Sequence, residues 1–220
     1  DKMTNRRVSL ADFVFSQLEE DILSERYQTG QVLTELAVCE QMQVSRTPVR
    51  EAFRRLQQEG YLTESGRGNL VVGTSPRDML DVYEIRLRTE GLATGWAAAR
   101  ITDEGLKELA DTIDLQEFYT ARQDADHIQE QDSLFHRLIF AHCGSPILGD
   151  MLTALHRRIQ RYRTCSVQDR LRAGKVIDEH KAIYRALSRH DAESAEYLAL
   201  QHVKNAREHI GAEETLWACQ

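Results

Sequence analysis

Asp132 and His136, in the run EQDSLFHRLIF, stand four residues apart, and His180 and His202 follow in IDEHKAIYRAL and LALQHVKNARE. Four residues apart on a helix is one face, so both of the first two side chains can reach a single point. One carboxylate and three imidazoles form a donor set for zinc, nickel or a similar divalent transition metal, with coordination positions left for water or an anionic ligand. Spacing alone does not single out this set. An Asp-x3-His pair arises by chance, and His127, His142, His156, His190 and His209 are also available.

A second cluster of chemistry lies upstream. The stretch VSRTPVREAFRRL, residues 44–56, carries Arg46, Arg50, Arg54 and Arg55. On a helix, Val49, Phe53 and Leu56 form an apolar stripe, while Arg46, Arg50 and Arg54 line a neighbouring face with Thr47 beside them. Ser45 or Thr47 is placed to cap this helix, and Pro48 falls in the first turn, where a missing N–H costs little. Arginine, threonine and free backbone N–H groups at one helix end suit phosphates and base edges, and Arg makes a bidentate pair with guanine.

The elements that must position these residues are mostly helical. Periodicity predicts helices at 10–24, 35–42 and 45–59, with a turn around Gly30 and a natural stop at Gly60. In YLTESGRGNLVVG, two β-prone runs, 61–63 and 70–72, flank Ser65-Gly66-Arg67-Gly68 and predict a hairpin with Arg67 at its tip. A glycine-flanked Arg can approach a minor groove or a phosphate closely. TSPRD, residues 74–78, reads as a linker. Helices are then expected near 78–100, 103–120, 126–143, 147–165, 170–189 and 191–210. The fold class is mainly α: a small N-terminal module of three helices and a hairpin over 1–75 and an all-α bundle over 76–220.

Charge and composition limit the function. The 220 residues carry a net charge of −7, which argues against indiscriminate coating of nucleic acid. Yet residues 46–67 hold five Arg against three Glu, a local +2, and the tail 1–7 holds Lys2, Arg6 and Arg7 against Asp1, again +2. A basic patch on an acidic body still binds phosphates, because charge beyond roughly 8 Å is largely screened at physiological salt. No apolar run approaches the roughly 20 residues that span a bilayer, so the expected location is cytoplasmic, with no membrane partner. The four cysteines are scattered and read as reduced thiols.

GQVLTELAVCEQMQVSRTPVREAFRRLQQEGYLTESGRGNLVV resembles the winged helix-turn-helix of the GntR family of bacterial transcription regulators. The motif stands nearly complete at Leu33, Glu35 and 44–52. It departs at Cys39, where Ala is usual, and at Gln43, where Gly is usual and where a left-handed residue costs about 1 kcal/mol. The resemblance implies DNA contacts by Arg46, Thr47 and Arg50, with Gly68 shaping the wing tip and Arg67 a further contact.

Residues 78–210 resemble the FCD ligand-binding domain of FadR-type members, whose Asp-x3-His, Glu-His-x2-Ile and later His are all present. The resemblance makes Asp132, His136, His180 and His202 the metal ligands and gives the neighbouring Glu179 a supporting role. Arg86 matches a family position from which it would pair with an effector carboxylate, with a salt bridge to Glu90 as the alternative. Asn205 is a candidate effector donor, and Arg161 and Arg163 are possible pocket residues. The expected protein is a homodimeric regulator, a repressor in sign. It would bind double-stranded operator DNA, a divalent metal and a small organic acid effector, and it would not be an enzyme. A metal-dependent hydrolase using the Asp/His site, or a DNA-binding dimer with a metal-free C-terminal domain, are the alternatives.

Overall fold

A computed structural model describes residues 9–24, 26–72, 76–168 and 170–217, with side chains throughout these except at 76, 160–168, 170–171 and 210–217. The basic tail 1–7, the side chains of Arg161 and Arg163, and the first residues of the TSPRD linker fall outside what is described. The chain divides into two compact units, Asp1–Thr74 and Ser75–Gln220.

The first unit runs α1 (Leu10–Leu23), β1 (Val32–Leu33), α2 (Glu35–Met42), α3 (Arg46–Gln58), β2 (Leu62–Ser65) and β3 (Gly68–Val71). Ser9 and Asp12 close a reciprocal capping box at the start of α1, and the Thr34 hydroxyl accepts from the Ala37 N–H to start α2. The apolar stripes of α1 and α3 meet in one core of Val14, Leu18, Val49, Phe53 and Leu56, onto which Leu62 and Val71 of the hairpin fold. Burying this many aliphatic and aromatic side chains is the main force holding the unit together.

The sheet is antiparallel in the order β1-β3-β2, with Val32 opposite Leu70 and Ser65 opposite Gly68. The hairpin matches the sequence reading; β1 adds a strand to it. Two residues are too few to show alternation, so β1 exists through its pairing with β3 rather than through its own pattern.

The second unit is a bundle of six described helices: α4 (Pro76–Ala98), α5 (Asp103–Arg122), α6 (Ala125–His142), α7 (Pro146–Gln168), α8 (Arg170–Ser188) and α9 (Ala192–Trp217). Thr102 caps α5 and Asp124 caps α6. The main core gathers Ala93, Leu109, Phe135, Ile139, Leu152, Ile183 and Leu187, and a smaller cluster of Met79, Tyr83, Ile159 and Val203 lies between α4, α7 and α9. Small residues let α4 and α9 approach closely: a Cβ on Gly91 would sit 2.9 Å from the Glu196 carbonyl. The tight bundle brings polar side chains from all six described helices into one interior.

Candidate DNA-reading head and candidate metal centre

In the first unit, α2 ends on Gln43, which takes up the left-handed conformation (φ 54°, ψ 43°) expected of the position where Gly is usual. Its own amide Nε2 donates to the Glu40 carbonyl at 2.7 Å, tying down the turn before α3. Ser45 occupies the cap position of α3, but its side chain accepts no hydrogen bond, so the cap expected there is not formed and Ser45 stays exposed.

The arginines of α3 divide by role. Arg55 donates to Asp12 at 2.8 Å and lies over the Phe15 ring, so it fastens α3 to α1. Arg50 is exposed and holds Glu35 of α2 through two hydrogen bonds. Arg46, Thr47 and Arg54 are exposed on the same helix. At the wing, Arg67 is exposed at the turn. Gly68 has φ 144°, and a Cβ there would lie 2.6 Å from the Leu33 carbonyl. Glycine is thus required both by the backbone angle and by the close passage of β1.

In the second unit the structure brings together the four residues singled out in the sequence. Asp132 and His136 come from α6, His180 from α8 and His202 from α9, and all four are buried. His136, His180 and His202 each offer a ring nitrogen within 4.8 Å of the other two. Asp132 Oδ1 lies 3.6 Å from His180 Nε2.

Each imidazole is held through its other nitrogen. His136 Nδ1 is 3.0 Å from Glu90 Oε1, His180 Nδ1 is 2.9 Å from Gln116 Oε1, and His202 Nδ1 is 2.6 Å from Glu179 Oε2. An oxygen acceptor at Nδ1 fixes the proton there and leaves the Nε2 lone pair for another partner. His136 Nε2 is buried and has no hydrogen-bond partner among the described residues.

The supporting shell is charged and largely buried. Glu90 also accepts from Arg86 at 2.7 Å and from His156 at 3.1 Å. Burial alone would raise the Glu90 carboxyl, but the Arg86 charge and the two histidine contacts outweigh it and hold it well below the usual carboxylate range. Burial, helped by Arg86, pushes His156 down to about 3, so it is neutral and donates. Burial likewise lowers His202 to about 4, against the pull of Glu179. Glu179 resists its own burial through hydrogen bonds from His202 and Arg172, and sits at about 2.

Glu90, His136 and His156 form a second close group. It is a poor cation site: Arg86 sits on the same carboxylate, and His156 donates to that carboxylate. The group is a hydrogen-bonded support for His136.

Beside the imidazoles lies a cavity of about 40 Å³, enough for a few waters or a small ligand, lined by Tyr83, Arg86, Gln116, Asp132, Arg172 and His202 with Ile128 and Val176 as its apolar side. Arg86 lines this cavity, and its Nε and Nη2 donate to Glu90 at 2.7 and 3.3 Å, the salt bridge weighed from the i, i+4 spacing. Asn205 is exposed and donates to Glu179 Oε1 at 2.8 Å; the structure does not bring it to the cavity lining. Sequence reasoning missed Gln116, His156 and Arg172. Gln116 and His156 find their partners on other helices and Arg172 finds Glu179 two turns along α8, so no neighbouring residue in the sequence marked them.

A three-helix head with a β-wing and a separate all-α bundle with a polar interior define the class of two-unit transcription regulators. The chain belongs to the gntR family of bacterial regulatory proteins, whose model matches residues 10–72, and carries an FCD domain over 81–205. It is 30% identical over 228 residues to the uncharacterized HTH-type transcriptional regulator YcbG of Bacillus subtilis (strain 168), covering 94% of this chain and 92% of that protein. It is 24% identical to the gluconate operon transcriptional repressor of Bacillus licheniformis, covering 97% and 89%. The solved structure of E. coli McbR/YncC shares the fold, with a TM-score of 0.82 at 22% identity over 94% of this chain and 99% of that one. The protein is a DNA-binding transcription regulator, not an enzyme. No helix among the described residues is long and apolar enough to cross a membrane.

Proposed function

We propose that this regulator binds one divalent transition metal, zinc or nickel, through His136, His180 and His202 with Asp132 as the fourth ligand. The observation that carries the reading is the arrangement of the three imidazoles. Each has its Nδ1 anchored on an oxygen, and their ring nitrogens converge in the interior, with His136 Nε2 left without a partner. Ligands about 2.0–2.1 Å from a zinc ion lie roughly 3 Å apart, so nitrogens within 4.8 Å close on an ion with small side-chain shifts. When bound, the metal supplies a fixed positive charge that holds an anionic ligand.

The effector is a small organic acid that enters the cavity beside this centre, with Arg86 and Arg172 on its walls. Similarity to a gluconate operon repressor and a galactonate operon repressor supports a repressor and is in keeping with a sugar acid as effector. Arg46, Thr47 and Arg50 on α3, with Arg67 and Gly68 at the wing, meet operator DNA. Two heads on a homodimer would read a pseudo-palindrome. Ile85, Leu92 and Trp96, exposed along one stripe of α4, support a second copy as the partner of that face. An effector acts by favouring one arrangement of the dimer, by no more than its differential affinity.

The donor shell also speaks against a hydrolase. Glu90 and Glu179, the acids nearest the imidazoles in the support network, are occupied by Arg and His donors and held ionised by them, so neither is poised as a general base. The test is metal analysis of the purified full chain beside His180→Ala. About one ion per chain, lost or weakened in the variant, is the expected result; no metal in wild type after dialysis against zinc and nickel overturns the site.

A further inference from the structure

We propose that Glu35 positions Arg50 to read a guanine, so that a carboxylate sets sequence specificity on the face that meets DNA. The inference rests on the reading of α3 as the DNA-contacting helix and goes beyond it, since it assigns a role to a residue of α2.

The geometry is that of a held fork. Arg50 Nε and Nη2 donate to Glu35 Oε1 and Oε2 at 3.2 and 3.3 Å, joining the first turn of α2 to α3. Both backbones are fixed. Thr34 caps α2 immediately before Glu35, and Val38 one turn on is buried; Val49 and Phe53 anchor α3 on either side of Arg50. The side chains themselves face solvent, at 69% exposure for Arg50 and 34% for Glu35. An ion pair so exposed adds little to stability, so its value lies elsewhere.

Glu35 has a cost in a DNA-binding head. It places negative charge where phosphates approach, and it cancels the charge of the very arginine that would attract them. A phosphate contact needs charge and little direction, and would be better served without it. A base contact needs direction. With the Nε–Nη2 edge of the guanidinium taken by Glu35, the Nη1–Nη2 end remains, and that end matches the O6 and N7 acceptors of guanine. A guanidinium held on one edge also has less freedom to lose on binding, which sharpens its choice of base. Among the described residues, neither Arg46 at the start of α3 nor Arg67 on the wing is held by a carboxylate, so these two keep their full charge for phosphates.

The experiment selects binding sites from a randomised duplex library with full-length wild type, E35Q and R50A. Recovered sequences are then compared by competition at one salt concentration, and melting curves confirm that the variants are folded. Wild type is expected to select a guanine in each half-site, preferred about tenfold or more over other bases. R50A loses that preference at that base pair alone. E35Q loses most of the same preference while binding a non-cognate duplex as tightly as wild type or more so, because a negative charge has gone. The proposal is overturned if E35Q keeps the guanine preference. It is equally overturned if R50A weakens binding to every sequence alike and lowers the salt slope by about one, the mark of a phosphate contact. A wild type that selects no consensus overturns the operator reading and this proposal with it.

Discussion

Glu90 Oε1 and His136 Nδ1 lie 3.0 Å apart in the interior of the second unit, on helices α4 and α6, and the same carboxylate holds Arg86 and His156. One buried acid therefore orients a candidate metal ligand and neutralises a guanidinium that lines the neighbouring cavity. Ligand orientation and cavity charge are tied together through it.

Removing that acid's charge tests the tie. Glu90→Gln leaves Arg86 buried with no compensating charge, a loss of about 3–5 kcal/mol of stability. It also weakens the hold on His136, which lowers metal affinity by about 10–100-fold. Urea unfolding of metal-free protein reads the first effect, and competition with a chelating dye reads the second. A variant as stable as wild type would show that the network is not the anchor described.

Metal removal acts through mass action. With free zinc at 100 times its dissociation constant, binding adds about 2.7 kcal/mol to folding stability. Wild type melts several degrees lower after chelation, and the shift returns on adding zinc. His180→Ala, melted in parallel, is expected to show little or no shift with zinc.

Acid sensitivity follows from the two histidines kept neutral by burial. His156 is lowered from 6.5 to about 3 and His202 from 6.5 to about 4. Below pH 6.5 the unfolded chain takes up protons that the folded chain refuses, so unfolding gains. Stability is full above pH 6.5 and falls as pH drops toward 3, with each histidine adding up to about 1.4 kcal/mol per pH unit. Urea midpoints of metal-free protein across that range give the slope, and His156→Gln makes it shallower.

Gly68 is the sensitive point of the wing. Gly68→Ala places a methyl 2.6 Å from the Leu33 carbonyl at a φ of 144°. The expected cost is about 1–3 kcal/mol in the first unit, with loss of DNA affinity as the β1-β3 pairing opens. Gly66→Ala meets nothing within 4 Å and serves as the matched control.

The sequence by itself determined a great deal here. Apolar spacing and caps gave the helices of both units within a few residues, apart from the last, which runs on to Trp217. The pattern around 61–72 gave the hairpin, and the Asp132/His136 spacing gave a shared helix face. Those features are local: they depend on periods of two or 3.6 residues and on neighbours one turn away. With the family resemblance, four polar residues could be singled out as well.

Tertiary structure decided what depends on partners distant along the chain. β1 is a strand only because β3 lies beside it. Arg55 fastens α3 while Arg50 turns to Glu35, although nothing in VSRTPVREAFRRL separates the two. Arg86 is bound to Glu90 inside the bundle, Asn205 turns out to Glu179, and Gln116 and Arg172 enter the site from α5 and α8. Eight histidines look alike in sequence; packing six helices around one interior is what buries three of them with their ring nitrogens converging and their Nδ1 atoms anchored, because only a folded bundle can make an oxygen acceptor for each cheaper than water.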